Sequence, residues 1–291
     1  MLTLVEASKL IQNPLQRGVV EVFPRTSPVL QILPFLQVSG NAYSWNIEDT
    51  LPGIAFRGFN ETYTESTGIV QNMTESLKIF GGSSRVDRAL VKTQGNLNNL
   101  RAIQDSMKAK AAALDFTKAF FKGDSSSDPK SFDGLERRLT GSQVIDAGGA
   151  THILPLLDEL IDAVQGAPDM LFMNKSVRRA VNAEMRGQGQ AIEVINDVFG
   201  RQINAYAGIP IGVIEDDASG NPILGFDETG STTSIYAVRV GVSEFVSGLQ
   251  AGELEVIDQG LVDVWYQTLI EWVVSIAVFN PKAAARLKGI S

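Results

Sequence analysis

Cysteine is absent from the 291 residues, and histidine occurs once, at His152. The first absence excludes disulfides, thiolate zinc sites and thiol nucleophiles. The second leaves a Ser-His-Asp triad one possible base and rules out a two-histidine metal site within one chain. Long apolar runs are missing too. The longest, Trp272 to Phe279, spans eight residues and is broken by Ser275, against the roughly 20 that a membrane-spanning helix needs. The opening Met-Leu-Thr-Leu-Val-Glu has no basic stretch, and Glu6 and Lys9 interrupt it, so it does not read as a secretory signal. The reading is a protein made in a cytoplasm, with no membrane partner and no anchor of its own. Positive charge is in deficit: 25 Lys and Arg against 33 Asp and Glu give a net charge of −8, which leaves no general basic footprint for nucleic acid.

The usual chemical motifs are lacking as well. Gly81-Gly82-Ser83-Ser84-Arg85 has neither the lysine nor the spacing of a phosphate-binding loop and reads as a turn. Gly187-Gln188-Gly189 lacks the third glycine of a dinucleotide fingerprint and reads as a flexible loop. Asp216-Asp217 lacks the alternating acids of a calcium loop and reads as a polar hairpin tip. His152, beside Thr151, suits a local hydrogen bond at a helix start. Asp158, Glu159 and Asp162 are spaced to solvate the wet face of an amphipathic helix. No catalytic, metal or cofactor-binding residues are nominated, and no enzyme activity is expected.

What is present is architecture. The length fits one large domain or two small ones and is ample for a core. Near the N-terminus, short apolar clusters alternate with Pro14, Pro24, Pro28 and Pro34. Prolines at that density prevent a long helix, so the segment reads as an arm lying on its own surface or a neighbour's. Over 41–90, Tyr43, Trp45 and Ile47 alternate with polar residues, as do Met73, Leu77 and Ile79, which predicts a long two-stranded ribbon. Between its strands Leu51 to Val70 carries Phe56, Arg57, Phe59 and Tyr63. A loop beyond about 12–15 residues is uncommon and usually functional or disordered, and exposed aromatics on it suggest a docking surface.

From Asn96 to Lys122 neither Pro nor Gly occurs. The spacing predicts a helix about 40 Å long, with Leu100, Ile103, Met107, Ala111 and Leu114 inward, the three phenylalanines 116, 120 and 121 widening the stripe, and Gly123 as its stop. Two helices follow around a buried strand at Met170 to Met173, the first capped by Thr151 and the second by Asn174. From 201 onward the chain reads mainly as strand: Ile209–Ile214, Ile235–Val242, Leu254–Ile257 and Thr268–Phe279.

Six motifs in order carry a resemblance that covers nearly the whole chain. They are Gly123-Asp124 leading through a polar loop to Phe132-Asp133-Gly134-Leu135; Phe172-Met173-Asn174-Lys175-Ser176; Tyr206-Ala207-Gly208-Ile209-Pro210; Gly225-Phe226-Asp227; Ile235-Tyr236-Ala237-Val238; and Phe279-Asn280-Pro281-Lys282-Ala283. Together they resemble tailed-bacteriophage major capsid proteins of the HK97-like fold. The resemblance implies an α+β chain with an N-terminal arm (1–40), an extended β-ribbon or E-loop and its base (41–95), a spine helix and following loop of the P-domain (96–150), an A-domain (151–252) and a return to the P-domain sheet (253–291). It also implies self-assembly into hexamers and pentamers of an icosahedral head around double-stranded DNA, in a virion assembled in the bacterial cytoplasm. A portal protein and a decoration protein are implied partners. Because the arm begins almost at Met1, a separate scaffold protein, or none, is expected rather than a cleaved extension. An acidic shell would touch packaged DNA weakly and without sequence specificity. The alternatives are an encapsulin-type nanocompartment of the same fold and, from another class, a carboxylate-based hydrolase. Some family members crosslink subunits between a ribbon lysine and an asparagine beside a glutamate. Here Glu271 matches the glutamate, Val264 stands at the acceptor position, and no lysine lies between Leu51 and Val70, so no crosslink is expected.

Overall fold

A computed structural model of the chain describes residues 26–94, 97–150, 152–189, 191–196 and 200–291. The arm expected before residue 26, the helix start at Asn96 and the cap at Thr151 lie outside the described residues. In chain order, helix α1 (Pro28–Ile32) leads to strand β1 (Phe35–Gln37), followed by β2 (Ala42–Thr50), β3 (Ile69–Ser76) and β4 (Lys78–Asp87). Helices α2 (Arg88–Gln94) and α3 (Leu97–Lys122) come next, then α4 (Leu135–Arg138), β5 (Val144–Asp146), α5 (Leu154–Asp162), β6 (Met170–Asn174) and α6 (Lys175–Gly187). The rest is strand: β7 (Glu193–Asn196), β8 (Gln202–Tyr206), β9 (Ile209–Ile214), β10 (Thr233–Val238), β11 (Val246–Gln250), β12 (Glu255–Val262), β13 (Trp265–Val278) and β14 (Ala284–Ile290).

Three sheets organise these elements. In the first, β13 is central, pairing with β11, β12 and β4, with β1 parallel to β11 at one edge. The second has seven strands in the order β5-β14-β10-β6-β9-β8-β7, and the third is the ribbon β2-β3 alone. One core fills the space between the first sheet, α3 and one face of the second, around Phe116, Phe121, Phe172, Tyr236 and Trp272. Another lies on the opposite face of the second sheet, under α5 and α6, around Leu157, Leu171, Val181 and Ile235. Residues 253–291 do not share one sheet: β12 and β13 lie in the first, but β14 joins the second beside β10.

Three local expectations are corrected. The ribbon is shorter on its return side, because Leu77 is buried and the chain then leaves as β4 to pair with β13 over ten positions. Gly81 to Arg85 are therefore not a turn but the middle of β4. Glycine is required there by proximity: a Cβ at Gly81 would lie 2.3 Å from the Ile270 carbonyl oxygen. The buried face of α3 also differs from the predicted stripe. Asp105, Ala109, Ala113, Phe116, Thr117 and Phe120 are buried, while Ile103 and Met107 are 56% and 61% exposed. At 100° per residue the two sets lie on roughly opposite sides of the helix. The small side chains at Ala109 and Ala113 set the α3 backbone close to the body, and Phe116 and Phe120 fill the space beyond them. Leu114 is buried as predicted.

Candidate assembly surfaces

The ribbon has a fixed base and a free tip. At the base the Trp45 and Tyr43 rings pack on Phe279, with centroids 5.0 and 6.1 Å away. Glu75, on β3, accepts a hydrogen bond from the Ser275 hydroxyl at 2.8 Å, and its other oxygen forms an ion pair with Arg138 at 2.8 Å. Both members of that pair are mostly buried. Lys78 Nζ donates to the Pro129 carbonyl at 2.9 Å.

Beyond the strands, residues 51–68 form no helix or strand. Phe56 and Phe59 are fully exposed, Ile54 is nearly so, and Leu51 and Tyr63 are mostly exposed. The tip's hydrogen bonds among the described residues are local. Glu61 accepts from the Gly58 N–H at 2.8 Å, Arg57 donates to the Glu61 carbonyl at 3.2 Å, and Ser66 donates to the Gly53 carbonyl at 3.0 Å. The Arg57 guanidinium also lies over the Tyr63 ring, 5.4 Å from its centroid. These hydrogen bonds stay within the loop, which leaves its apolar rings facing water. Burying one such ring stabilises by about 1.5–3 kcal/mol, and among the described residues none covers Phe56 or Phe59.

The motif residues sit elsewhere and hold the fold. Gly123 and Gly134 meet backbone to backbone, and a Cβ at Gly134 would lie 2.6 Å from the Ala119 carbonyl oxygen and 2.7 Å from the Gly123 nitrogen. Inside the loop they close, Asp124 accepts from the Ser127 hydroxyl and the Ser126 N–H at 2.7 and 2.8 Å and pairs with Arg137. The Ser127 hydroxyl first, then the Ser126 N–H and Arg137, holds its carboxyl below the usual range. Asp133 accepts from the Ser125 N–H at 2.8 Å. Burial works to raise its pKa, but Ser125 and the two neighbouring arginines outweigh it and keep it low. Phe132 and Leu135 are buried in the core.

Asn174 caps α6 by accepting from the Val177 N–H at 2.7 Å, and its amide donates to the Leu224 carbonyl at 2.8 Å. Ala207 and Gly208 have φ of +50° and +76°, the left-handed pair that a tight two-residue hairpin between β8 and β9 requires. Pro210 follows at the start of β9, one residue before the pairing with β6 begins at Ile211. Pro281 opens a short 3₁₀ turn capped by Asn280. The predicted polar hairpin tip at Asp216-Asp217 docks back on α3, with Asp217 3.0 Å from Lys118 Nζ. His152 is exposed and lies 3.5 Å from Glu184.

Two exposed apolar features escaped the sequence reading. One is Ile103 and Met107 on α3, which periodicity placed inward. The other is the far end of the first sheet, where Leu261, Val262, Val264 and Trp265 at the β12–β13 hairpin are all more than a third exposed, beside the start of α2, whose Arg88 N–H donates to the Val264 carbonyl at 2.9 Å. Their apolar alternation resembles that of any strand, so only the missing cover distinguishes them. A polar cleft of about 890 Å³ between the end of α3 and β14 is lined by ion pairs, Lys122 with Asp227 at 2.7 Å and Arg286 with Glu136 and Glu228 at 3.0 Å. Among the described residues no three His, Cys, Asp or Glu side chains are grouped to hold a metal ion, and no helix is long and apolar enough to cross a membrane.

Comparison with known proteins places this architecture. The family described as Major capsid protein GP7 matches residues 12–155. No curated protein matches the sequence. Among solved structures, the holo-SrpI encapsulin complex of Synechococcus elongatus PCC 7942 superposes with a TM-score of 0.67 at 18% identity, over 90% of this chain and 87% of that one. The capsid of a native GTA particle gives 0.66 at 14% identity, over 91% of both chains. The structure described as Mycobacterium phage Bobi gives 0.62 at 15% identity, over 90% and 89%. At such identities the likeness is one of fold.

Proposed function

We propose that this chain, which matches the Major capsid protein GP7 family over residues 12–155 and shares the fold of solved phage capsids, is a major capsid protein that self-assembles into hexamers and pentamers closing an icosahedral phage head around double-stranded DNA. Its role is structural rather than enzymatic. The observation that carries the reading is the ribbon tip: exposed aromatic rings on a loop whose hydrogen bonds stay local. Phe56, Arg57, Phe59 and Tyr63 contact a neighbouring subunit. In that scheme residues 1–40 are the arm, 41–95 the E-loop and its base, 96–150 the spine helix and following loop, 151–252 the A-domain and 253–291 the return to the P-domain, with β14 lending its strand to the A-domain sheet. A separate scaffold, a portal and a decoration protein are the partners of this assembly in the host cytoplasm. The DNA is held by confinement, since a chain of net charge −8 repels it on average.

Size-exclusion chromatography and negative-stain microscopy of the concentrated protein test this directly. Rings or closed shells are expected, and a compact monomer, with or without a scaffold, refutes the assembly. A second reading, a nanocompartment shell, draws on the encapsulin likeness, whose TM-score of 0.67 is as high as that of the GTA capsid. Nuclease-protected DNA inside purified particles supports the phage head; a protein cargo without DNA supports the nanocompartment.

A further inference from the structure

Helix α6 turns three residues, Val177, Val181 and Met185, into the core. The face beside them carries Lys175, Arg178, Arg179 and Arg186, which fall within an arc of about 100° at 100° per residue. The one acid of the helix, Glu184, is occupied, accepting from the Ile153 N–H at 2.8 Å. Lys175 has Glu215 at 3.6 Å, and Arg179 donates only to the Ser176 hydroxyl at 3.3 Å. Arg178 and Arg186 have no ion pair among the described residues, and Arg178 Nε is buried with no acceptor. Cations in the first turn also oppose the helix dipole, and no acid stands there to offset them.

Helix α5 is the mirror case. It carries Asp158, Glu159 and Asp162 and no cation. Asp158 accepts from the Tyr206 hydroxyl at 2.7 Å, while Glu159 and Asp162 have no cationic partner among the described residues. These two carboxylates lie in the last turn, where the dipole again disfavours them. No ion pair joins α5 to α6. Both helices cover the same face of the seven-stranded sheet, α5 over β14 and α6 over β6 and β9, so the acidic and basic faces sit over different parts of one sheet.

We propose that the cationic face of α6 docks on the acidic face of α5 in the next copy of the chain, a head-to-tail contact that repeats around each ring; this rests on the assembly reading above. The occupant is a second copy because the chain itself supplies the complementary face, one of each sign per copy, with Lys175 and Arg178 at the start of α6 and Glu159 and Asp162 at the end of α5 set against their own helix dipoles. A heterologous contact of this kind closes into rings when its rotation permits. Being exposed on both sides, it is screened as salt rises from physiological strength, with a Debye length of about 8 Å, toward 1 M, with about 3 Å.

The test is a charge swap. R178E/R179E/R186E and E159K/D162K should each stay folded by circular dichroism, since none of these side chains has an ion-pair partner among the described residues, and each should lower ring and shell yield at least tenfold. The five substitutions combined in one chain should restore most of that yield, because the contact is rebuilt with reversed polarity. Should the first variant misfold, R178Q/R179Q/R186Q gives the same reading with less perturbation. Wild-type yield from the single-face variants, or no recovery in the combined one, overturns the contact. Shells that form normally but lose nuclease-protected DNA would assign the α6 face to nucleic acid and overturn it too. A wild-type chain that forms no rings at all refutes the assembly itself, an outcome read before any variant is made.

Discussion

The backbone N–H of Gly134 donates to the carbonyl oxygen of Gly123 at 2.9 Å, so the end of the long helix is tied to the start of α4 with no side chain between them. That contact explains why a polar loop can follow the helix without loosening it. The carboxylates of Asp124 and Asp133 then satisfy the N–H groups inside. Gly134→Ala should therefore destabilise the unassembled chain. Its Cβ meets backbone atoms that cannot move aside, and overpacking of this kind costs about 1–3 kcal/mol. The midpoint of a thermal melt should fall by roughly 2–4 °C per kcal/mol. An unchanged melt would mean that the loop opens freely.

Much of this was legible because it rests on local rules. A stretch free of Pro and Gly gave α3, an Asn before a polar turn gave the α6 cap, and a short apolar run after Gly208 gave β9. What failed depended on distant partners. Periodicity reports that α3 has an apolar face but not which face is covered, and Ala109 and Ala113, chosen for closeness rather than bulk, outweighed Ile103 and Met107. Gly81 and Gly82 resembled a turn because the strand that crowds them lies almost 190 residues away in sequence. The ribbon tip was legible as unusual for its length and aromatics, but its partner is on another molecule.

Replacing Phe56 and Phe59 by Ser together should leave the monomer's stability within about 0.5 kcal/mol, because both rings are fully exposed. Shell yield should fall, read by sedimentation or microscopy. A double variant that melts early as a monomer would show that the tip folds back on its own chain.

Ala112→Pro should remove a hydrogen bond from the middle of α3 and clash with the preceding turn, at a cost of about 3 kcal/mol or more. Ala112 packs at the edge of the main core, so the damage reaches both large sheets. A loss of folded protein and of shells is expected; normal shells would mean that the continuity of this helix is dispensable.

Mature particles boiled in detergent should run as a single monomer band. Glu271 pairs along the backbone with Gly81 and Glu255 in the middle of a sheet, and Val264, exposed at the hairpin end, has no amide to attack. Lys78 lies at the ribbon base, donating to Pro129, and the tip has no lysine. A ladder of multimers with a lysine-asparagine isopeptide in the mass spectrum would refute this.

Asp105 should be a liability at neutral pH. Its side chain is 2% exposed on the covered face of α3. One oxygen accepts from the Thr268 hydroxyl at 3.3 Å, and the other is buried without a partner. Arg101, one turn earlier, is committed to Asp258 at 2.5 Å. Burial therefore dominates and raises the Asp105 pKa above its ordinary value, with Ser84, Thr268 and Arg101 opposing it and Asp258 adding to it. For a carboxyl raised in the folded state, the stabilising contribution is fully present below the unfolded pKa of about 3.9 and is lost as pH rises through the folded one. At pH 7 the folded state must either hold a buried anion or bind a proton that the unfolded chain does not. Asp105→Asn keeps the shape and removes the charge, so it should raise the melting temperature of the unassembled chain at pH 7. Near pH 3, where aspartate is protonated in both states, the two proteins should melt alike. An Asn variant that is less stable at pH 7 would show that the ionised carboxylate is held by Arg101 and is part of what binds α3 to the sheet.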